Sequence, residues 1–485
     1  MSPGHAPAPG LAEAPPAHAE PAHAEPAPAD SPSRPLRSRA LRAMAGRLSW
    51  GLADQAVSSL TNFAVGIYVA RSLGLTAFGV FSIAWVTYGV LLNVSRGVAT
   101  DPLVVRFSGV AVPQWRAAVT RSSATALAVG TLAGAGCLLI GAELVTFGLA
   151  GGGLEAEVGA AFLALGIVLP GLLLQDSWRF AFFAAGRGRD ALTNDLVWAA
   201  AMVPAMFLAA RQPSVVGFLL AWGLSGTVAA GYGCLRTGIT PAVAAVPRWL
   251  RRHRDLGARY LVENVSNSGA AQLRAYGLGA IAGLASVGTV RGAELLMGPF
   301  LAVLMGLSLV TVAEAARVLR RSPHRLRLFC MLLGGGQAAA ALAWGCVLML
   351  LLTDRAGELV LGEVWWTSSA LILPATLAVT GASLGTGAAA GLRALGAAKR
   401  SLRSQLVASA AYVTGGLLGA WAGGALGSAW GVAAATLGGS VVWWLQLHRA
   451  LKERALKERG LRERGLKERA LKERGLREHE EKRTS

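Results

Sequence analysis

The sequence predicts an all-α polytopic membrane protein with twelve transmembrane helices in two six-helix lobes related by a parallel internal repeat. Three observations predict this architecture. Apolar residues make up 53% of the 485 residues, and they cluster in runs of about 20, the length that crosses the hydrocarbon core of a bilayer. Arginine accumulates in alternate loops. Two sequence echoes recur at nearly the same spacing, as expected for a duplicated domain.

The first 46 residues are rich in alanine and proline and contain the short repeat PAHAEPAHAEP. Such a composition does not bury enough apolar surface to fold, so segment 1–46 is predicted to be a disordered tail. The tail lacks the apolar stretch of a cleavable signal peptide, and the first span is therefore expected to direct membrane insertion.

Twelve apolar runs follow this tail, and each is long enough to cross a membrane. A basic linker at 235–259 divides them into a first lobe at 47–234 and a second lobe at 260–446. The linker could lie along the membrane as a basic amphipathic helix. The spans are predicted at 48–70, 77–97, 122–145, 158–180, 193–210, 214–234, 260–282, 290–313, 327–352, 365–392, 403–422 and 426–446.

Loop charges predict the orientation. The loops after even-numbered spans carry clusters of arginine, whereas those after odd-numbered spans carry single arginines and acids such as Glu155 and Glu358. Because positive residues favour the cytoplasmic side, both termini are predicted to be cytoplasmic in a multi-pass protein of the cell membrane. The same distribution accounts for the net charge of +19 without a nucleic-acid partner.

The internal repeat rests on two pairs of segments. Gly74–Leu92 matches Gly283–Leu301 at six positions with an offset of 209, and Gly186–Val197 echoes Gly396–Val407 with an offset of 210. An even number of spans separates the copies, so both lobes should have the same orientation. Paired lobes around a central cavity are a common transporter plan.

The C-terminal segment 447–485 is a charged tail that contains six leucine-started pentads at 451–480. Glutamate precedes a basic residue by four positions in each of four pairs, which favours a solvated single helix, interrupted or frayed at its glycines. Either it is a low-complexity extension, or it is attracted to anionic lipid or an acidic partner.

Neither a metal site nor a cofactor is predicted. All four cysteines lie inside apolar runs, where they are expected to pack in the core. The sequence contains no GxxxxGK[ST] motif, which argues against a pump with its own ATPase.

Three segments carry a resemblance to a known family. Trp50–Trp85 resembles the opening of a polysaccharide flippase, Leu172–Trp198 resembles the fourth and fifth helices of the same proteins, and Val287–Pro299 resembles the eighth. On these segments, residues 47–446 resemble the multidrug/oligosaccharidyl-lipid/polysaccharide exporter superfamily.

The resemblance implies a V-shaped pair of lobes that alternates between inward-open and outward-open states. It further implies transport of a polyprenyl-diphosphate-linked oligosaccharide from the cytoplasmic to the outer leaflet for cell-surface polysaccharide synthesis. The expected partners are the lipid-linked glycan, the bilayer and polysaccharide-assembly enzymes. Because the sequence has no ATP site, the hypothesis for the driving force is a proton, sodium or membrane-potential gradient, with a proton or sodium ion as the coupling ion. The lipid-linked glycan needs a polar cavity because a diphosphate and sugars cross hydrocarbon only at high cost.

Four polar residues are candidates for substrate binding. Arg274 lies deep within the seventh span, while its repeat partner Val65 is apolar. A charge at this depth is costly and points to a function, here contact with an anionic head group, although pairing with an acid is the alternative. Asn62, Gln272 and Asn267 belong to polar patches in the first helix of each lobe, where they would bind sugar hydroxyls or bridge helices.

Four charged residues are candidates for coupling or gating. Asp54 and Glu263 occupy near-equivalent places at the cytoplasmic ends of spans 1 and 7, where an acid could instead stabilise the first helical turn. Arg291 and Glu294 are spaced i,i+3 near the outer end of span 8. They could pair with each other, or Glu294 could accept a coupling ion.

Two further features bear on the site. Asp176 and Arg179, spaced i,i+3, are predicted to form a local salt bridge. Span 1 has no basic residue between Trp50 and Ala70, whereas the resemblance implies several in the first-lobe cavity of lipid II flippases. This departure favours a cell-surface polysaccharide precursor over a peptidoglycan precursor.

Three other functions are considered. A cation-coupled multidrug exporter of the same superfamily would be expected to have an acid-lined cavity, against which Arg274 argues. A membrane polysaccharide polymerase or ligase generally needs a sizeable outer loop with catalytic residues, and the predicted outer loops are short. A membrane scaffold without transport activity is the third alternative.

Overall fold

The computed structural model of the chain describes the backbone of residues 34–151 and 153–484. The described residues from 47 to 484 form one compact unit. The first half of the compact unit is taken as residues 47–234 and the second half as residues 260–446. Within the described backbone, side chains are described except at 34–49, 51–52, 149–151, 263, 265–267, 305–310, 312–313, 323 and 457–484.

The regular structure of the described residues is helical throughout, in fourteen α-helices with short 3₁₀ and π segments. A π-helix at Arg96–Thr100 joins the second helix to the third. The α-helices are α1 (Arg34–Ser72), α2 (Leu75–Ser95), α3 (Asp101–Phe107), α4 (Val112–Gly151), α5 (Gly153–Ala184), α6 (Gly188–Ala209), α7 (Val215–Thr237), α8 (Val246–Ala282), α9 (Leu284–Arg321), α10 (Leu326–Leu351), α11 (Asp354–Leu361), α12 (Val364–Ser368), α13 (Ile372–Ala394) and α14 (Ala398–Thr484).

Nine helical segments among the described residues are long and apolar enough to cross a membrane. The helices α1 and α8, which contain predicted spans 1 and 7, are not among the nine. Both contain the polar patches noted in the sequence. The helix α14 is counted once, although it contains predicted spans 11 and 12. A multi-pass helical membrane protein is therefore confirmed, and the count of twelve stays a prediction.

Glycine brings neighbouring helices into backbone contact. A Cβ atom on Gly141 of α4 would lie 2.7 Å from the carbonyl oxygen of Gly159 of α5, and the reverse distance is also 2.7 Å. Gly134 and Gly166 repeat this reciprocal contact two turns away. Small residues are favoured at such membrane interfaces because dispersion and close approach, rather than water exclusion, hold the helices together.

Helix irregularities lie near the predicted ends of spans. The π-helix and α3 extend the second helical run to Phe107, and α4 begins at Val112, so most of the segment expected to be a loop between spans 2 and 3 is helical. The helix α14 bends at Gly423 and Gly424, between predicted spans 11 and 12. Gly424 has a φ of 58°, a left-handed conformation that costs glycine little.

The N-terminal part of α8 packs on the first half of the chain. Trp249 is buried, and its indole nitrogen donates a hydrogen bond of 3.1 Å to the carbonyl oxygen of Val98 in the π-helix. The ring of Phe107 stacks on Trp249, and His253 marks a kink where the helix loses its regular dihedral angles. The basic linker therefore contains the expected helix, and that helix packs against protein through Trp249.

Both tails contain helix. The helix α1 begins at Arg34, so the last part of segment 1–46 is helical where disorder was predicted, and residues 1–33 lie outside the description. The helix α14 continues without interruption from its bend to Thr484. The predicted helix in the C-terminal tail is therefore present, and the expected breaks at the tail glycines are not seen in the described backbone.

Candidate functional site

A cavity of about 560 Å³ lies between α1 and α2 of the first half and α8, α9, α13 and α14 of the second half. It is called the arginine cavity here because Arg274, Arg291 and Glu294 lie in its wall. Most of the remaining wall is apolar, and Ser59 and Asn62 of α1 provide polar groups from the first half. A largely apolar cavity with a few convergent polar groups is the usual form of a ligand site.

Arg274 is the most deeply buried charge in this cavity. It is 5% exposed, and its Nη2 atom lies 2.6 Å from Oε1 of Glu294. Its guanidinium lies 5.4 Å from the ring centroid of Tyr412, within the range of a cation–π contact. Gly416 makes room for the arginine stem, since a Cβ atom there would lie 2.7 Å from Cδ of Arg274.

Glu294 is shared between two arginines. Its Oε2 atom accepts a hydrogen bond of 3.2 Å from Nη1 of Arg291, one turn away on α9. Two guanidinium groups and one carboxylate leave one excess positive charge in the cavity. The Nε atom of Arg274 has no hydrogen-bond partner among the described residues, and a buried donor of this kind favours an anionic or oxygen-rich ligand.

The other predicted binding residues are placed differently. Asn62 lines the arginine cavity. Gln272 lies against Gly89 of α2, with its Nε2 atom 3.2 Å from where a Cβ atom on Gly89 would be, and it is not in the described wall of the cavity. The backbones of Glu263 and Asn267 belong to α8, and their side chains lie outside the described residues.

Asp54 lies in a second buried polar cluster, inside the first half of the chain. It is fully buried, and its Oδ2 atom lies 2.6 Å from Nε of Arg179 on α5. The same Nε atom lies 3.6 Å from Oδ2 of Asp195 on α6. Gln175 donates a hydrogen bond of 2.9 Å to the other oxygen of Asp195. The Oδ1 atom of Asp54 has no hydrogen-bond partner among the described residues.

The local salt bridge predicted between Asp176 and Arg179 is replaced by two longer-range pairs. Arg96 donates two hydrogen bonds to Asp176, at 3.0 and 2.6 Å, and Arg179 pairs with Asp54. A spacing of i,i+3 permits a local pair, but nearby helices offer competing partners. The cluster has three carboxylates (Asp54, Asp176 and Asp195) and two guanidiniums (Arg96 and Arg179). Its one excess negative charge could be balanced by a proton or a monovalent cation.

Among the described side chains, no group of three His, Cys, Asp or Glu is arranged to hold a metal ion. Sequence reasoning missed Asp195 and Tyr412. Asp195 is an acid inside predicted span 5, a placement that by itself indicates function. Tyr412 gave no comparable signal because its role depends on the rotation of α14 toward Arg274.

Comparison with known proteins shows similarity in structure. No protein-family model matches the chain, and no curated protein sequence matches it. An inward-facing multidrug resistance MATE family transporter of the MOP superfamily superposes with a TM-score of 0.65 at 15% identity, over 82% of this chain and 95% of that one. The lipid II flippase MurJ in an inward closed conformation superposes with a TM-score of 0.64 at 9% identity, over 84% of this chain and 90% of MurJ.

A third structure is a MOP superfamily transporter from Pyrococcus furiosus in which reverse polarity of the binding pocket suggests a different function. It superposes with a TM-score of 0.53 at 15% identity, over 84% of this chain and 95% of that one. These identities are too low to carry a substrate from one protein to another, and fold alone does not fix function. The chain therefore has the fold of the MOP superfamily transporters, and the fold that the sequence resemblance implied is confirmed.

Proposed function

We propose that this protein is an alternating-access flippase that moves a polyprenyl-diphosphate-linked oligosaccharide from the cytoplasmic to the outer leaflet. The observation that carries the proposal is the excess positive charge of the arginine cavity, with Arg274 buried and its Nε atom unbonded among the described residues. A diphosphate is the group that such a buried guanidinium would recognise, because arginine and phosphate form strong charge-assisted hydrogen bonds.

The proposed architecture is twelve spans in two lobes, with both termini in the cytoplasm. In this orientation, the starts of α2 and α9 lie at the outer face. Gly79 of α2 packs on the backbone of Leu284 in α9, which supports a state closed to the outside. The lipid-linked sugar would then enter from the cytoplasmic side, while the polyprenyl chain stays in the bilayer.

A coupling ion is part of the proposal. The protein would use a proton or sodium gradient, and the cluster of Asp54, Arg179 and Asp195 could hold that ion. Glu294 would take part in gating, since it joins Arg274 on α8 to Arg291 on α9. Neutralisation of Asp54 or of Glu294 should then change how the transport rate responds to the imposed gradient.

The flippase activity can be tested in a deletion strain of the source organism. Lipid mass spectrometry would identify each polyprenyl-diphosphate glycan, and enzymatic accessibility would assign its leaflet. We expect one glycan-lipid to accumulate in the cytoplasmic leaflet of the deletion strain. Wild type should relieve the accumulation and Arg274→Ala should not. The matched control is Arg211→Ala, at an exposed arginine beyond the end of α6, and it should behave as wild type.

A cation-coupled multidrug exporter is the second candidate. The side chain of Glu294 is 40% exposed and lies in the wall of the cavity, where its carboxylate could bind a cationic drug. Unchanged glycan-lipid pools in the deletion strain, together with a loss of drug tolerance that Glu294→Gln fails to restore, would favour this function over glycan transport.

A further inference from the structure

A second cavity adjoins the arginine cavity. It has a volume of about 510 Å³ and lies in the second half of the chain, between α8, α9, α13 and the two parts of α14 on either side of its bend. The two cavities share four wall residues: Ala382, Thr386, Tyr412 and Thr436. A ligand in the arginine cavity could therefore extend past these side chains into the second space.

The wall of the second cavity is rich in hydroxyl groups, and the space is called the hydroxyl cavity here. Its only charged wall residue among those described is Arg393, in the last turn of α13. Alanine and glycine provide much of the rest and keep the space open. The polar and aromatic wall residues used below are Thr386, Gln405, Ser409, Tyr412, Thr436 and Trp443.

These polar groups retain hydrogen-bonding capacity. Gln405 donates through Nε2 to the hydroxyl of Ser409 at 3.2 Å, which leaves the amide oxygen of Gln405 as an acceptor. Thr436 donates to the carbonyl oxygen of Ala433 within its own helix at 3.0 Å, and its hydroxyl oxygen keeps a lone pair. A ligand with many hydroxyl groups, each both donor and acceptor, matches this wall.

Other ligand classes match less well. A polyprenyl chain would offer no hydrogen-bond partner to the amide oxygen of Gln405 or to the remaining lone pairs of the hydroxyls, and shielding these acceptors from water is unfavourable. A cationic drug would meet Arg393 and no carboxylate in the described wall. Sugars fit both features of the cavity, because their hydroxyls can bond to Gln405 and Ser409 and their C–H faces can pack on the rings of Tyr412 and Trp443.

We propose that the hydroxyl cavity is the subsite for the sugar chain of the transported lipid. This inference rests on the proposed flippase function. Tyr412 contacts Arg274 and lines both cavities. With the diphosphate bound at Arg274, the first sugar would therefore lie beside Tyr412. The distal sugars would occupy the hydroxyl cavity. The arginine cavity thus binds the diphosphate, which all polyprenyl-diphosphate-linked glycans share. The hydroxyl cavity binds the distal sugars, in which these glycans differ.

The experiment uses the full-length protein in proteoliposomes. The probes are the diphosphate-linked glycan lipids extracted from membranes of the source organism, either intact or trimmed enzymatically to the sugar next to the diphosphate. The variants are Gln405→Leu/Ser409→Ala, which removes polar groups, and Ala389→Phe, which fills the cavity. The control is Thr414→Val, which removes an exposed hydroxyl of the same helix outside both cavities.

We expect the wild type and Thr414→Val to move both probes. Both cavity variants should move the trimmed probe at the wild-type rate. The double variant should move the intact probe roughly tenfold more slowly, the effect of losing about two neutral hydrogen bonds. Ala389→Phe, which blocks the cavity sterically, should not move the intact probe.

Three results would overturn the inference, and they separate the sugar subsite from the flippase function. Equal slowing of both probes in folded variants would remove the sugar subsite and leave the flippase function standing, as would no slowing of either probe. A wild-type protein that moves neither probe would overturn the flippase function, and the subsite with it. Thermal unfolding of each variant in detergent establishes that it is folded before its rate is compared.

Discussion

Gly79 and Gly288, which lie 209 residues apart, pack against each other's helices in a reciprocal way. A Cβ atom on Gly79 would lie 1.9 Å from the carbonyl oxygen of Leu284, and one on Gly288 would lie 2.5 Å from the carbonyl oxygen of Leu75. Leu75 and Leu284 are also 209 residues apart. The contact is therefore unchanged when the two copies are exchanged, as expected for duplicated segments that meet on a two-fold axis.

This contact predicts that Gly79→Ala destabilises the protein. An added methyl group would meet backbone that cannot rotate away, and overpacking of this kind costs about 1–3 kcal/mol of unfolding free energy. The control is Gly136→Ala, which also lies within a helix but has open space around it. Its replacement should be neutral or stabilising. Equal melting temperatures for the two variants in detergent would show that the close contact of Gly79 with α9 does not contribute to stability.

The sequence predicted this relationship in part. The repeated glycines and leucines indicated two similar segments, and a glycine in a membrane helix often marks a close approach. The sequence did not show that the two copies contact each other, because the same repeat would arise if each copy packed only within its own half of the chain. Contact across the axis depends on how α2 and α9 are placed by the surrounding helices, and no local pattern encodes that placement.

The sequence also predicted the candidate site only in part: it indicated the charged residues and their pairing within one helix, but not the pairs between helices. Arg274, Arg291 and Glu294 each stood out as charges in apolar surroundings, and the spacing of Arg291 and Glu294 indicated their pair. The second pair, between Glu294 and Arg274, joins two helices and depends on their relative rotation. The same reason explains Asp176, whose partner is Arg96 on another helical segment rather than its near neighbour Arg179.

Separate roles are expected for the two members of the Arg274–Glu294 pair. Glu294→Gln leaves the buried guanidinium of Arg274 without its carboxylate, and a buried charge left without its partner costs about 3–5 kcal/mol of unfolding free energy. Arg274→Gln should cost less, because Glu294 keeps Arg291. The double replacement should recover part of the stability and none of the transport of polyprenyl-diphosphate glycans. Melting temperatures and transport rates of the four proteins test this, and transport by Arg274→Gln at the wild-type rate would leave Arg274 with a structural role alone.

The cluster around Asp54 predicts an asymmetry between its acids and its bases. Arg179→Gln removes the cation between Asp54 and Asp195, and it should lower the unfolding free energy by about 3–5 kcal/mol. Asp54→Asn should be milder, because Asp195 still faces Arg179 and the cluster becomes electrically balanced. If Asp54 carries the coupling ion, Asp54→Asn should transport glycan-lipid at a rate independent of the imposed proton and sodium gradients. A rate that follows the gradients as in the wild type would contradict a coupling role for Asp54.

His253, at the kink of α8 in the basic linker, predicts a loss of stability at acid pH. Burial lowers the pKa of this imidazole from its ordinary value, against the carbonyl oxygen of Trp249, which raises it. Arg106 and Arg252 lower it further, and Asp255 opposes them. As the pH falls below about 6.5, the unfolded chain takes up a proton before the folded one does, so the unfolding free energy decreases until the folded ring also charges. His253→Phe removes this proton uptake, and its melting temperature should fall less than that of the wild type between pH 7.5 and 5.5. Parallel pH curves for the two proteins would show that the ring titrates alike in the folded and unfolded states.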